Sequence, residues 1–356
     1  MTLVTGATGK TGAVVVAELL KRAMPVRALV HREDERADRL RGLGAEVVVA
    51  QMHDHDQLAR ALTDVKQAYY VPLLSPHSLH AAMAFAVAAR NARIDAVVQM
   101  SQWLSHPAHP SVMTRETWLI DRAFAMIPNL AHVIVNPGMF ADNFLRTLDL
   151  AALLHIHPVM TGDSRSAPIS NEDLGRVIAA LLVDPRAHAG RRYRPTGAKL
   201  LTGSQMADAI AAAVGHRVIP VRIPFWLFRK VARMDGVDPH VVLSYREYLA
   251  DHRAGAFEIG GGVTDVVEAL TGTPAESFET TARRYAAQPF ARQTWSRRLR
   301  AFVRFNLAPF WPGYDLDRYS RQRAFPVPPE PSLAADDARW REEHLAQHPV
   351  PSGAGA

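Results

Sequence analysis

The sequence predicts an α/β fold built on a doubly wound parallel sheet, with a smaller C-terminal α/β subdomain and an extra C-terminal tail. Three observations predict it. Short apolar runs alternate with helical patterns over the first 150 residues, a glycine-rich turn joins the first run to the first helix, and the pattern becomes irregular after Pro137. Strand–helix alternation with short connections is typical of βαβ units, whose parallel strands are buried on both faces.

The strands of the first part are short runs rich in β-branched and other apolar residues. The predicted strands are Leu3–Val4, Val26–Val30, Glu46–Ala50, Ala68–Val71, Ala96–Met100 and His132–Val135. Between them lie segments with the length and the Ala or Leu content of helices. The predicted helices are Ala13–Arg22, Arg36–Leu43, Gln57–Leu62, Leu79–Asn91 and Arg115–Met126.

Beyond Pro137 the pattern predicts mainly helices. The predicted elements are the helices Asp173–Leu182, Gly203–Val214, Phe225–Ala232 and Val241–Ala250 and the strand Val218–Ile223. From Trp295 the composition changes to a basic helix candidate, followed by a Pro-rich run at 326–331 that is expected to be extended. We therefore divide the chain into a first domain (1–150), a mixed segment that returns to it and builds the subdomain (151–290), and a basic, Pro-rich extension (291–356).

Composition excludes several kinds of chemistry. The 356 residues include no Cys, so disulfides, thiolate zinc sites, Fe–S clusters and thiol nucleophiles are absent. The formal net charge is +6, but residues 280–324 alone contain ten Arg and only Asp315 and Asp317, a local net of +8. The longest segment without charged side chains, Gln67–Ala89, carries two prolines and two histidines, so we expect no transmembrane span and a cytoplasmic location.

The strongest motif is Thr5-Gly6-Ala7-Thr8-Gly9-Lys10-Thr11-Gly12, between the first strand and the first helix. In this context Gly6 permits a tight turn, Gly9 lets backbone amides approach a pyrophosphate, and Gly12 allows close helix–strand packing. The motif favours a dinucleotide-binding domain of Rossmann type over a glycine-rich turn without a ligand. Residue 12 is Gly where a Walker A loop continues with Lys-Ser/Thr, so a P-loop is excluded.

The end of the second strand indicates which dinucleotide is bound. Val30-His31-Arg32 stands where an acidic residue would bind the ribose 2′-hydroxyl of NAD. Arg32 can instead make charge-assisted bonds with a 2′-phosphate, so NADP (as NADPH) is favoured over NAD. The alternative is an exposed Arg on a turn, since Glu33 and Asp34 follow it.

Together with Asn136–Asn143, the glycine loop and the second strand resemble the NmrA-like group of atypical short-chain dehydrogenases/reductases. The resemblance extends to Ile169–Leu174, Gly190–Gly197 and Leu270–Phe278, and covers about residues 1–290. It implies that 1–150 is the NAD(P)-binding Rossmann domain and that 151–290 builds the substrate subdomain. The cofactor contacts that it implies are Gly6, Thr8, Gly9, Lys10, Thr11, Gly12, Arg32, Met52, Leu73 and Ser101. The substrate contacts that we expect are Trp103, Thr114, Trp118, Phe140 and Asn143.

The catalytic pair of active short-chain dehydrogenases is missing. They commonly use Tyr-x-x-x-Lys, in which Lys lowers the pKa of the Tyr. The residues four positions before the five lysines are Gly6, Ala17, Leu62, Pro195 and Trp226, so no such pair exists. The positions expected for the pair are Thr114 and Trp118, and the catalytic residues are therefore unknown; the candidate proton donors are Ser101, His77, His106 and His109.

Two functional interpretations follow. One is an NADP-dependent oxidoreductase that transfers hydride to a small conjugated, quinone- or azo-like acceptor, which needs little acid catalysis, with Trp103, Trp118 and Phe140 as an aromatic wall. Interior packing of these three rings is the alternative role. The other interpretation is a non-catalytic NAD(P)-sensing regulator that binds a protein partner.

Two further patterns are discounted. His53-Asp54-His55-Asp56 precedes a helix, where Asp is a common N-cap, and we expect no metal site. The arginines of 292–304 with nearby aromatic residues could contact anionic lipid, nucleic acid, a protein partner or a second copy through 291–331, with nucleic acid disfavoured. We favour an Arg-rich helix packed on the body, with buried stems and paired guanidinium groups.

Overall fold

A seven-stranded parallel sheet forms the centre of the protein, and the computed structural model describes residues 1–345. The strand order is β3-β2-β1-β4-β5-β6-β8. The first six strands are β1 (Thr2–Val4), β2 (Val26–Val30), β3 (Glu46–Val49), β4 (Gln67–Tyr70), β5 (Ala96–Met100) and β6 (Ala131–Val135). β7 (Ile156–Val159) and β9 (Ile219–Arg222) pair in parallel in a second sheet, and β8 (Arg192–Tyr193) completes the edge of the first.

Helices cover both faces of the large sheet, as the doubly wound prediction requires. The helices of this part are α1 (Lys10–Lys21), α2 (Glu35–Gly42), α3 (His55–Ala61), α4 (Ser78–Asn91), α5 (Val112–Ala125) and α8 (Asn171–Val183). Buried side chains of α1, α2 and α8 form the core on one face, and those of α3, α4 and α5 form the core on the other. The predicted α/β Rossmann-type fold is thereby confirmed.

The C-terminal part is mostly helical and wraps the carboxyl edge of the sheet. Its helices are α6 (Ala141–Leu145), α7 (Leu148–Leu154), α9 (Gly203–Val214), α10 (Phe225–Met234), α11 (Pro239–Arg253), α12 (Val266–Thr271), α13 (Phe278–Ala286), α14 (Trp295–Leu307), α15 (Leu316–Arg323) and α16 (Ala338–Leu345). α11 reaches the end of β6, because the Tyr248 hydroxyl donates to the Gly138 carbonyl (3.3 Å). No helix among residues 1–345 is long and apolar enough to cross a bilayer.

The extension after residue 290 meets only in part the expectation of an Arg-rich helix packed on the body with buried stems and paired guanidinium groups, since Arg298 contacts His155 and Arg304 pairs with Asp235. No residue of α14 is buried, and its apolar side chains are largely exposed. The segment that packs most closely is the acidic end: the Trp340 side chain of α16 is 1% exposed and belongs to the same core cluster as Trp103. The extension therefore contains both a helix with no buried residue, α14, and a helix with a buried Trp side chain, α16.

Candidate functional site

The glycine loop between β1 and α1 has a backbone that only glycine fits at two positions. Gly6 has a φ of +60°, and a Cβ there would lie 2.7 Å from the Cγ1 of Val71. A Cβ at Gly12 would overlap the carbonyl oxygen of Gly6. The loop thus turns sharply and brings the first turn of α1 against the end of β1, as the motif predicted.

The N-terminus of α1 is open to an anion. Gly9 is the N-cap and no side chain of the described residues caps the helix. The first helical bond runs from the Ala13 amide to the Gly9 carbonyl (2.9 Å), which leaves the amides of residues 10–12 as donors. These donors and the positive end of the helix dipole fit the pyrophosphate of a dinucleotide.

The side chains of Lys10 and Thr11 tie the loop to the C-terminal part. The Lys10 ammonium bonds the Asp142 carboxylate and the Tyr285 hydroxyl (3.1 Å), and Tyr285 donates to Asp142 (2.5 Å). Burial alone would raise the pKa of Asp142, but hydrogen bonds from Lys10 and Tyr285 hold that pKa below its usual value. Thr11 donates to the Asn171 side chain (2.9 Å). The predicted cofactor contacts of these two residues remain predictions.

Arg32 stands at the carboxyl end of β2, the strand next to the glycine loop. Its side chain is 69% exposed, and its one polar contact within residues 1–345 is a 3.4 Å approach of Nε to Asp34. Asp34 is already engaged: it caps α2 through the Arg36 amide and pairs with the Arg36 guanidinium, which lowers the pKa of Asp34. Among the described residues, the guanidinium of Arg32 therefore makes only this long contact, and its predicted role at a 2′-phosphate remains a prediction.

The other predicted cofactor residues follow along the same edge. Met52, after β3, is only 9% exposed and packs in the core of that face, and Leu73, after β4, is half-buried against the same core. The Ser101 hydroxyl donates to Asp121 of α5 (2.9 Å) and so faces the helix. That carboxylate also accepts from Gln99 (2.7 Å) inside a fully buried network.

Trp103 lies in the interior. Its indole donates to the Ala256 carbonyl (2.9 Å), and the Arg194 guanidinium stands 3.6 Å from its ring centroid. The ring of Trp340 covers it at 5.1 Å, edge to face, and the Trp340 indole donates to the Trp103 carbonyl (3.2 Å). This geometry favours the interior-packing role that the sequence left open for Trp103.

The two residues at the positions expected for the catalytic pair make contacts within the fold. Thr114 is buried, and its hydroxyl donates to Gln102 (3.3 Å), whereas Trp118 is half-buried beside the Arg122 guanidinium (5.2 Å). Of the other candidate donors, His109 is buried against Asp251 (2.5 Å). Neither Thr114 nor Trp118 supplies a phenol or an ammonium group.

The C-terminal tail packs against the loop between β5 and α5. The His106 ring pairs with Asp337 (3.0 Å), and the Ser332 amide donates to the Ala108 carbonyl (3.0 Å). The Ala335 amide donates to Asp251 (3.2 Å). The tail therefore clamps the loop between β5 and α5, a contact for which the sequence offered no signal because the two segments are more than 200 residues apart.

Phe140 and Asn143 occupy different surroundings. Phe140 is half-buried and packs on the core that contains α1 and α8. Asn143 lines an apolar cavity of about 270 Å³ between α6, α7, β7, α10, α11 and the end of α14. Side chains that line it include Phe144, Leu150, His157, Phe228, Val241 and Tyr245.

The cavity adjoins the glycine loop through a short chain of polar contacts. Arg146, in the cavity wall, donates to Asn143 (3.2 Å) and to Asp142 (3.3 Å), the carboxylate that binds Lys10. At the other side His157 is 1% exposed with no hydrogen-bond partner for either ring nitrogen in the described residues. Burial lowers the pKa of His157 to about 4, so the ring is neutral at pH 7.

Three histidine rings lie near one another after β3 and at the start of α4. The ring of His53 lies 5.8 Å from His77 and 6.1 Å from His80. Across residues 1–345 no group of three or more potential ligands could hold a metal ion.

The fold and the loop define a dinucleotide-binding protein of Rossmann type. The chain belongs to the NAD(P)H-binding family, which matches residues 6–185, just over half of its length. An NAD(P)H azoreductase from Xenophilus azovorans is 28% identical over 292 residues, 81% of this chain and 98% of that protein.

Solved structures share the fold. An NADPH-dependent quinone oxidoreductase from Escherichia coli, in complex with NADPH, has a TM-score of 0.67 at 20% identity, covering 80% of this chain and 99% of that one. NmrA, a negative transcriptional regulator solved with NAD, has a TM-score of 0.61 at 19% identity, covering 79% and 94%. These structures have the fold that the resemblance to the NmrA-like group implies.

Proposed function

We propose that this protein is an NADPH-dependent oxidoreductase that transfers hydride to a small conjugated acceptor of the quinone or azo type. The observation that carries the proposal is the apolar cavity beside Asn143, next in sequence to the carboxylate that binds the glycine loop. The azoreductase relative and the quinone oxidoreductase of the same fold support this acceptor class.

The cofactor is held by groups along the carboxyl edge of the sheet. The free amides at the start of α1 bind the pyrophosphate, and Arg32 binds the 2′-phosphate, which selects NADPH over NADH. When bound, NADPH supplies a hydride, which is one proton with two electrons. Lys10 stays paired with Asp142 and fixes the loop against α6.

The acceptor chemistry follows from what surrounds the cavity. Because Thr114 and Trp118 stand where the usual Tyr and Lys are expected, these two positions provide no activated phenol. The acceptor is therefore one that is electron-poor enough to take hydride without it. A quinone gains the hydride and then a proton from solvent, and leaves as the hydroquinone. The apolar wall with its neutral His157 favours flat, uncharged acceptors and keeps water from the reacting atoms.

The test is to narrow the cavity without touching the cofactor groups. Val241 lies in the cavity wall, and an indole at this position would fill space that the acceptor needs. Val241→Trp is therefore expected to raise the KM for quinones at least about tenfold. Affinity for NADPH should be unchanged. Val87→Trp, at an exposed position of α4, is the control. An unchanged KM in a folded Val241→Trp protein would contradict the assignment of the cavity.

A second candidate is a non-catalytic NAD(P) sensor that binds a protein partner. The observation in its favour is the buried state of Trp103 beneath Trp340, at the loop where short-chain dehydrogenases place catalytic groups. Tight NADPH binding without turnover of any quinone or azo acceptor would favour this candidate over the first.

A further inference from the structure

Helix α14 exposes an apolar stripe that the core does not cover. The Trp295 side chain is 78% exposed and that of Phe302 is 57% exposed, and Leu299, Val303 and Leu307 are also exposed. These five residues recur at spacings of three and four, so they share one side of the helix. The opposite side contacts the protein through Ala301 and Phe305, which are half-buried.

Positive charge borders the stripe. The segment 289–311 contains five Arg and no acidic residue. At 100° per residue, Arg298 and Arg300 fall on the two flanks of the stripe. Arg298 contacts His155 (2.9 Å), whereas Arg292 and Arg300 make no hydrogen bond or ion pair within residues 1–345. Arg297 donates to the Pro289 carbonyl (2.7 Å) and Arg304 pairs with Asp235, so the expected pairing of the cluster is met in part. The guanidinium groups of Arg292 and Arg300 remain available.

The aromatic surface continues beyond the helix. The side chains of Phe310 (85% exposed) and Trp311 (43%) follow α14, and Trp226 of α10 (48%) stands beside them. Lys230 joins the two parts, since its ammonium donates to the Pro309 carbonyl (2.5 Å) and lies 5.4 Å from the Trp226 ring. Tryptophan and arginine next to an aliphatic stripe are typical of helices that lie in the interface of a bilayer.

We propose that this surface, formed by α14, residues 308–311 and Trp226, binds the protein to anionic phospholipid bilayers. The charge distribution favours this occupant over two others. A second copy docking through the same face would oppose two sets of five arginines. A nucleic acid would meet the flanking arginines but leave the central Leu299 and Val303 without an apolar partner.

The membrane surface would also adjoin the cavity. Phe305, Ala308 and Pro309, on the inner side of the same segment, line the cavity of about 270 Å³. A lipophilic acceptor dissolved in the bilayer would thus be presented at the wall of the acceptor cavity. This consequence rests on the proposed function, whereas bilayer binding does not.

The test is sedimentation of the full-length protein with phospholipid vesicles. Binding is expected to vesicles that contain phosphatidylglycerol, to be weak with phosphatidylcholine alone, and to fall as salt rises. Phe302→Glu should abolish binding, and Arg298→Glu with Arg300→Glu should weaken it by more than about 25-fold, given about fivefold per removed charge near the surface. NADPH affinity, measured in parallel, shows that the variants fold.

Matched controls place the same changes elsewhere. Met126→Glu alters a side chain that is 76% exposed at the end of α5, and Arg39→Glu with Arg90→Glu reverses two exposed charges on α2 and α4. These variants should bind vesicles as the unchanged protein does. Absence of binding to anionic vesicles, or equal binding by Phe302→Glu, would overturn the proposal. The proposal would also be overturned if the unchanged protein did not bind vesicles but formed a dimer that Phe302→Glu dissociates.

Discussion

Replacing Arg32 by Ala tests the preference for NADPH over NADH, because this side chain is exposed and contributes little to the packing of the fold. In the described part of the chain its guanidinium has only a 3.4 Å contact with Asp34, and the side chain is 69% exposed, so its removal should leave the stability of the fold unchanged. A hydrogen bond to a charged group contributes about 1.5–3 kcal/mol, and each 1.4 kcal/mol is tenfold in affinity. Exposure and salt screening favour the lower end, so NADPH affinity should fall about tenfold.

The assay is the Kd for NADPH and for NADH, measured by titration at low and at high salt. Arg32→Ala should weaken NADPH but not NADH, which lacks the 2′-phosphate, and the difference should shrink at high salt. Arg39→Ala is the matched control, since Arg39 is exposed on α2, the helix that follows. Equal losses for the two dinucleotides, or no loss for either, would refute the role of Arg32.

Three further changes test the loop, the tail and the cavity. Gly12→Ala should abolish dinucleotide binding, because its methyl group would overlap the Gly6 carbonyl; NADPH titration of the folded variant checks this. Trp340→Ala should lower the free energy of unfolding by about 3–5 kcal/mol in urea denaturation, whereas Trp295→Ala, at an exposed site, should not. His157 has a pKa lowered to about 4 from 6.5, so the unfolded state binds its proton more tightly and stability falls as pH drops from 7 toward 4. His157→Leu should reduce this fall; an unchanged pH dependence of unfolding would contradict the buried neutral ring.

The sequence predicted the elements whose determinants are local. β5 and α9 have the bounds that the sequence predicts, because β5 is a continuous buried run and α9 begins at a capping box formed by Thr202 and Gln205. The glycine loop was equally predictable, since its requirement for Gly lies within a few residues. β8, only two residues long, has no pattern of its own and is defined by pairing with β6.

The site beyond the glycine loop depends on contacts between distant segments. Trp103 is predicted as a substrate contact from its place after β5, but Trp340, which buries it, is 237 positions away. The cavity beside Asn143 is assembled from α6, α7, β7, α10, α11 and the end of α14, and only Asn143 among its lining residues was expected. The periodicity of one segment cannot reveal such a surface, because the apolar pattern of each helix, taken alone, is typical of ordinary core packing.

The most direct test of the central claim is to follow NADPH consumption and quinone reduction together in the purified protein. If the protein transfers hydride as proposed, one hydroquinone forms for each NADPH consumed, the rate saturates with acceptor, and NADH is a poorer donor. NADPH that binds tightly but is not consumed with any quinone or azo acceptor would contradict the oxidoreductase assignment.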